Sequence, residues 1–440
     1  MRMYDLIMKK KLGGEMTAGE LKWLIDGYTA GEIPDYQMSA FLMAVWFRGM
    51  TSRETTDLTL CMAHSGDMTD LSSIPGIKAD KHSTGGVGDK TTLITAPEAA
   101  ACGLKIAKMS GRGLGFTGGT VDKLESIPGL RTAFDHAEFM DMVKRTGIAV
   151  VGQSGNLTPA DKKMYALRDV TATIDSLPLI ASSIMSKKLA AGSDVIVLDV
   201  KCGSGAFMKT PEEARALAEQ MVDIGCRAGR KMAALITDMD RPLGHAVGNS
   251  LEVIEAVYTL QGSGPDDLAE LSRELAANML STAGMGCIDI CRERVDESIR
   301  SGSAFGKLIE LAQAQGGDSR VLRDPSLFEK APVRHEIRAA ASGYISSMDT
   351  EAVGMASCML GAGRETKDSP IDHSAGIILK KKTGDKVAEG DVLAVFYTAK
   401  EELLPAAEKR FEESLQISQE KPQKKPLIYG RVTAEGFERY

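Results

Sequence analysis

The chain has 440 residues, of which 43% are hydrophobic and 26% charged, and a formal net charge of -7; these are ordinary proportions for a chain with one large core and two or three lobes. The mild acidity leaves no footprint for nucleic acid or an anionic membrane, so a small anionic substrate needs a local positive site. Seven scattered cysteines without a Cys-x-x-Cys pair argue against a disulfide framework or zinc site. Together with an N-terminal stretch lacking an apolar export segment, they predict a reduced, cytoplasmic protein with no membrane partner.

Residues 1–66 read as the first part of a helical lobe. Thr17 to Glu20 and Thr51 to Glu54 each fit a capping box, and Pro34 suits the start of a helix. The segment Met38 to Phe47 is apolar almost all round, as in a helix buried against a lobe or a partner.

Residues 74–155 alternate strand and helix patterns, which predicts a parallel sheet covered by helices. Two glycine-rich loops lie here: Lys81 to Asp89, KHSTGGVGD, and Ser110 to Thr120, SGRGLGFTGGT. Each follows an apolar run and precedes a helical pattern, so each falls beyond the carboxyl end of a strand, where ligands of such sheets bind. Glycine costs backbone entropy. Such loops either make tight turns or bring bare N–H groups close to an anion, and Lys81, Ser83, Lys108, Ser110 and Thr120 add donors that suit phosphate. Neither loop is a Walker A sequence or a dinucleotide fingerprint.

Residues 156–192 return to helices and form the second part of the helical lobe. Thr158 begins one helix carrying Tyr165 and Arg168, and Ser176 with Pro178 begins another that ends at Gly192. On the latter, Ile180, Ser183, Ile184 and Lys187 share one face at i, i+3, i+4 and i+7. A serine and a lysine on an apolar face suit either a snorkelling lysine or a binding surface.

Residues 193–338 continue the α/β lobe, with a buried strand around Val195 to Val200, helical patterns from Pro211 to Arg230, another strand at Ala233 to Ile236, and a long loop from Asp238 to Ser250. Residues 339–440 change to glycine-punctuated strands and predict a C-terminal barrel-like β unit. This unit resembles the hammerhead of lipoyl and biotinyl domains without their modified lysine; Glu420 to Pro426 reads as an extended polar connector. The fold class is therefore α/β, a helical lobe plus a larger mixed α/β lobe.

The segment Ser110 to Glu125, SGRGLGFTGGTVDKLE, together with KHSTGGVG before it, closely resembles the signature of the thymidine and pyrimidine-nucleoside phosphorylases, and the resemblance runs along nearly the whole chain. It implies reversible phosphorolysis of pyrimidine nucleosides and a homodimer formed through the helical lobe. Carried onto this sequence, it implies phosphate contacts from Lys81, Ser83, Thr92, Lys108, Ser110 and Thr120. Arg168, Ser183 and Lys187 would bind the pyrimidine, inside an apolar wall of Leu114, Tyr165, Ile180, Phe207 and Met208. His82 is the candidate to donate a hydrogen bond or proton to the departing base, the alternative being a histidine that only shapes the loop.

No organic cofactor is implied, but a monovalent cation, potassium, is, held by Gly88, Leu243, Ala246 and Glu255 with position 90. Lys90 departs from the threonine often found there, so a cation requires its ammonium to point away; Glu255 reads equally as a solvated helix residue. Phe116 departs from the family's histidine. The rival enzyme, an anthranilate-type phosphoribosyltransferase, would want acidic magnesium ligands near these loops, and no acidic cluster stands between Lys81 and Glu125. A catalytically silent nucleoside-binding protein is the rival from another class.

Overall fold

The computed structural model describes residues 1–113, 115–116, 118–364 and 369–440. Helices Met3–Lys11, Ala18–Ala30, Asp35–Arg48 and Ser52–Ala63 are joined by Pro159–Val170 and Leu177–Ala190 to make the helical lobe. Both expected capping boxes are present, with Thr17 and Thr51 accepting from the N–H groups of Glu20 and Glu54 while those glutamates bond back. Thr158 differs from expectation. It sits in the left-handed region at φ 49° and gives no side-chain cap, so Pro159, with its φ already preset, starts that helix.

Met38, Phe41, Leu42 and Val45 enter the core of this lobe with Leu21, Leu24, Leu58, Met164 and Leu179. The lobe does not bury the segment all round: within it Trp46 is 41% and Phe47 71% exposed, and Tyr36 just before it 73%, beside a groove lined by Ile7, Ala40, Met43 and Phe47.

The large lobe is built on a seven-stranded sheet. Its parallel part comprises β1 (Lys78–Ser83), β2 (Lys105–Ser110), β3 (Ile148–Gly152), β4 (Val195–Cys202) and β5 (Lys231–Asp238), in spatial order β3-β2-β1-β4-β5. Every residue of β4 is buried, as a strand covered on both faces requires. Ala79, Ile106, Val195 and Val197 pack towards one helical layer, while Ala107, Met109, Ile196, Leu198 and Val200 pack towards the other.

The C-terminal unit differs from the expected boundaries at both ends. Its sheets begin at Val333–Arg338 rather than at 339, and one of them borrows Ala246–Val247 from the long loop after β5. The last two strands, Ile428–Thr433 and Gly436–Arg439, leave the unit and extend the main sheet antiparallel beyond β5. Pairing there covers an edge that β5 would otherwise leave open. The segment from 421 to 426 has no regular structure and carries the chain across.

Three chain crossings join the lobes and are bonded to one another. Asp67 N–H donates to the Asn156 carbonyl at 3.1 Å, and Thr69 N–H to that of Ala190 at 2.8 Å. No described helix is long and apolar enough to cross a membrane.

Candidate active site

A cavity of about 190 Å³ opens at the carboxyl ends of β1, β2 and β3. Both glycine loops line it. His82, Ser83, Gly85 and Gly86 come from the first, and Ser110 to Gly113 with Gly118 to Thr120 from the second. Of the expected phosphate residues, Ser83, Thr92, Lys108, Ser110 and Thr120 are on its wall.

Lys81 is not. Alternation along β1 sends Asp80 and His82 to one side and Lys81 to the other. Its ammonium lies 3.3 Å from Asp199 and 3.8 Å from Asp89, and also donates to Thr91. Lys81 therefore stands behind the first loop, bracing Asp89, instead of facing the cavity.

Among the described residues, the lysine that does reach the wall besides Lys108 is Lys188, which sequence reasoning passed over in favour of its neighbour Lys187. Asp80 is the hinge of this arrangement, with Lys108 3.1 Å from one carboxylate oxygen and Lys188 2.8 Å from the other. Burial pushes the Asp80 carboxyl up, but the two ammoniums outweigh it and hold its pKa at about 2. Burial lowers Lys108 to about 8 in spite of Asp80. His82, half-buried on the cavity wall near Lys188 and Lys108, is held well below the ordinary histidine value by desolvation and by those ammoniums and is neutral at pH 7. Asp89, Met109, Arg112 and Gln153 are further wall residues that the sequence reading missed; the adjacency of Asp80 and His82 on one strand face was the signal available for Asp80.

The second loop is held close by its glycines. A Cβ added at Gly119 would overlap the Gly113 nitrogen and lie 2.6 Å from Asp122 Oδ2. Gly113 N–H in turn donates to Asp122 Oδ2 at 2.7 Å, and Arg112 and Arg364 both bond Asp122 Oδ1. Phe116 packs against the apolar core of the C-terminal unit, so the loop is clamped from that side too. Leu114 lies outside the described residues.

The expected base residues form a different kind of surface. Among the described residues, none of them lines the cavity. Arg168 is buried, and its guanidinium donates to three carbonyls: Thr173 at 3.2 Å, Leu179 at 3.0 Å and Ile174 at 2.7 Å. Burial lowers its pKa, yet guanidinium stays charged at neutral pH. Lys187 pairs with Asp161 and donates to Ser183 Oγ at 3.0 Å, with 23% of its side chain exposed. Tyr165 is partly exposed beside Arg168, Ile180 and Met208 are half-buried, and Phe207, on the loop after β4, is 60% exposed. The helix Leu177–Ala190 joins the two regions, because Lys187 faces the helical lobe while the next residue, Lys188, reaches the cavity wall.

The expected cation ligands are also assembled, but around an occupant. Lys90 Nζ donates to the carbonyls of Leu243 at 2.9 Å and Ala246 at 2.8 Å and to Glu255 Oε2 at 2.6 Å. The ammonium does not point away, and Glu255 is not a solvated helix residue. Burial would raise the Glu255 carboxyl, but the Lys90 ammonium and the N–H groups of His245 and Ala246 hold it below the usual carboxylate range. The Gly88 carbonyl accepts the Lys90 N–H at 3.0 Å.

Three family models match in succession: a glycosyl transferase helical bundle domain over residues 4–66, a glycosyl transferase a/b domain over 76–305, and a pyrimidine nucleoside phosphorylase C-terminal domain over 344–418. The chain is 53% identical over 434 residues to a pyrimidine-nucleoside phosphorylase of Geobacillus stearothermophilus, covering 98% of this chain and 100% of that one. It is 52% identical over 402 residues to one from Bacillus subtilis, covering 91% and 93%. Among solved structures, the anthranilate phosphoribosyltransferase of Thermus thermophilus superposes with a TM-score of 0.57 at 18% identity, over 71% of this chain and 99% of that one; this likeness concerns the fold.

Proposed function

The chain belongs to the pyrimidine-nucleoside phosphorylase family, and from that premise we propose that it transfers the pentosyl group of a pyrimidine nucleoside reversibly to inorganic phosphate. The products are the free base and α-D-(deoxy)ribose 1-phosphate. The observation that carries this reading is the cavity beyond β1 to β3, where Lys108, Lys188, hydroxyls and glycine-loop amides converge. An oxyanion is what such a convergence attracts.

A phosphate oxygen bonds to C1′ on one face as the bond from C1′ to the pyrimidine nitrogen breaks on the other, so the anomeric centre inverts. The bonding pair leaves with the base while positive charge grows on the sugar. Donors fixed around the base and an anion fixed near C1′ therefore both lower the barrier, and Arg168, Ser183 and Lys187 are the donors we assign to the base.

His82 is neutral in the cavity because burial and two ammoniums oppose its charge. An arriving phosphate offsets those ammoniums, which lets His82 hold a proton that it can share with the departing pyrimidine. The anion thus prepares the donor.

Bringing the two regions together requires the lobes to close about the three crossings at 65–81, 152–158 and 190–194, which also excludes water. We assign the exposed face bearing Tyr36, Met43 and Phe47 to a homodimer contact, since a second copy laid over it withdraws these side chains from water. Seven cysteines with no disulfide among the described residues suit the reducing cytoplasm.

We assign uridine, thymidine and 2′-deoxyuridine as substrates. The test is base release from each with phosphate present: comparable turnover of all three is expected. Negligible uridine cleavage would restrict the enzyme to deoxynucleosides, and no phosphate-dependent cleavage of any would end the reading.

A further inference from the structure

The residues expected to hold a monovalent cation do not fit one in this chain. An ammonium has three N–H donors and no acceptor, and the three of Lys90 are matched by Leu243 O, Ala246 O and Glu255 Oε2 at 2.6 to 2.9 Å. The lysine is fully buried.

A second ammonium stands next to it. Lys382 Nζ donates to the Gly244 carbonyl at 2.9 Å and to Asp267 at 2.5 Å, so the carbonyls of 243, 244 and 246 are all taken by the chain's own cations. The cradle is also tight, since a Cβ added at Gly244, where φ is +67°, would run into the Glu255 carboxylate and come within 3.1 Å of Lys90 Nζ. A free cation would have to displace one charge and sit beside another.

We propose that the Lys90 ammonium is a tethered replacement for a potassium ion, so that this protein organises its glycine loop without any monovalent cation. Lys90 adjoins Asp89 and lies two residues before Thr92, both on the cavity wall. It ties that turn to the loop after β5 and to the helix Asn249–Leu260, across 153 and 165 positions of sequence. A free ion must be bound from solution, whereas a tethered one is always present at the site. Lys90 is thus a positioning residue for the cavity, a role that rests on the phosphate reading above.

Thermal unfolding separates the possibilities. The unaltered protein should melt at the same temperature in potassium chloride as in tetramethylammonium chloride of equal ionic strength; a rise specific to potassium would overturn the proposal. Lys90→Thr removes the ammonium and reopens the cradle, so its melting temperature should fall by several degrees in tetramethylammonium chloride and recover with added potassium. A Lys90→Thr variant indifferent to potassium, folded or not, would equally overturn it. In kinetics, the phosphate KM of Lys90→Thr should rise roughly tenfold without potassium and return with it, while kcat changes less; a KM that ignores potassium would remove the positioning role. Loss of phosphorolysis in the unaltered protein would instead defeat the phosphate reading and leave the melting comparison valid.

Discussion

The cavity beyond β1 to β3 and the surface around Lys187 are joined by one helix, yet they are prepared for their ligands in opposite ways. At the cavity, donors stand on strand ends and glycine loops that the surrounding structure fixes: Asp80 spaces Lys108 and Lys188, and Asp122 holds the second loop. At the other surface, Arg168 clasps carbonyls of the turn after its own helix and of the first turn of the next, and Lys187 is paired with Asp161. Neither side chain lines the cavity. The difference teaches that an anion site can be preorganised by backbone and buried charge, whereas the donors we assign to the base are internally satisfied and on that assignment must exchange a partner for the pyrimidine when the lobes close. Internal pairing keeps their charges compensated while the site is open.

The largest effect should come from Lys187→Ala. If Lys187 stabilises charge on the leaving base, kcat/KM for nucleoside should fall about a hundredfold, near 3 kcal/mol, with phosphate affinity unchanged. Steady-state kinetics with either substrate varied reads this directly. Full activity would mean that Lys187 only seals Asp161, and the contrast between the two regions would collapse.

Gly119→Ala should produce the complementary defect. The new methyl must push the Gly113 amide aside, so the phosphate KM should rise about tenfold while nucleoside handling at saturating phosphate changes little. Equal damage to both substrates would show that the second loop serves both regions.

The smallest effect, and the finest test of preorganisation by buried charge, is pH dependence. Burial lowers Lys108 to about 8, so it is an ammonium below that pH and a neutral amine above it. Phosphate affinity should therefore hold up to about pH 8 and weaken by about fivefold between about pH 8 and about pH 9, since the bound anion keeps Lys108 charged at a pH where the free site loses its proton. Calorimetric titration of phosphate at fixed ionic strength measures it, and Lys108→Met should flatten the profile. A flat profile in the unaltered protein would mean that Lys108 supports Asp80 without contributing charge to the site.

Much of this organisation is local, and the sequence by itself determined it. Capping boxes at Thr17 and Thr51, the buried run of β4 and the two glycine loops depend on neighbours within a few residues, so their placement is readable from the chain alone. That includes the position of both loops at strand ends, and hence most of the cavity wall.

What only the tertiary structure decided is where long charged side chains end and which edges pair. Lys81 and Lys108 look equivalent beside their loops, but strand alternation and the placement of Asp199 and Asp80 send one behind the cavity and the other onto its wall. Lys188 is marked out only once Asp80 lies across from it, 108 residues away. The Lys90 ammonium could not be placed from sequence, because its three acceptors lie more than 150 residues further on, and the last hairpin found β5 for the same reason. Propensity and spacing govern contacts within a turn or two of chain, whereas a buried charge goes wherever the fold assembles enough oxygen or carboxylate to compensate it.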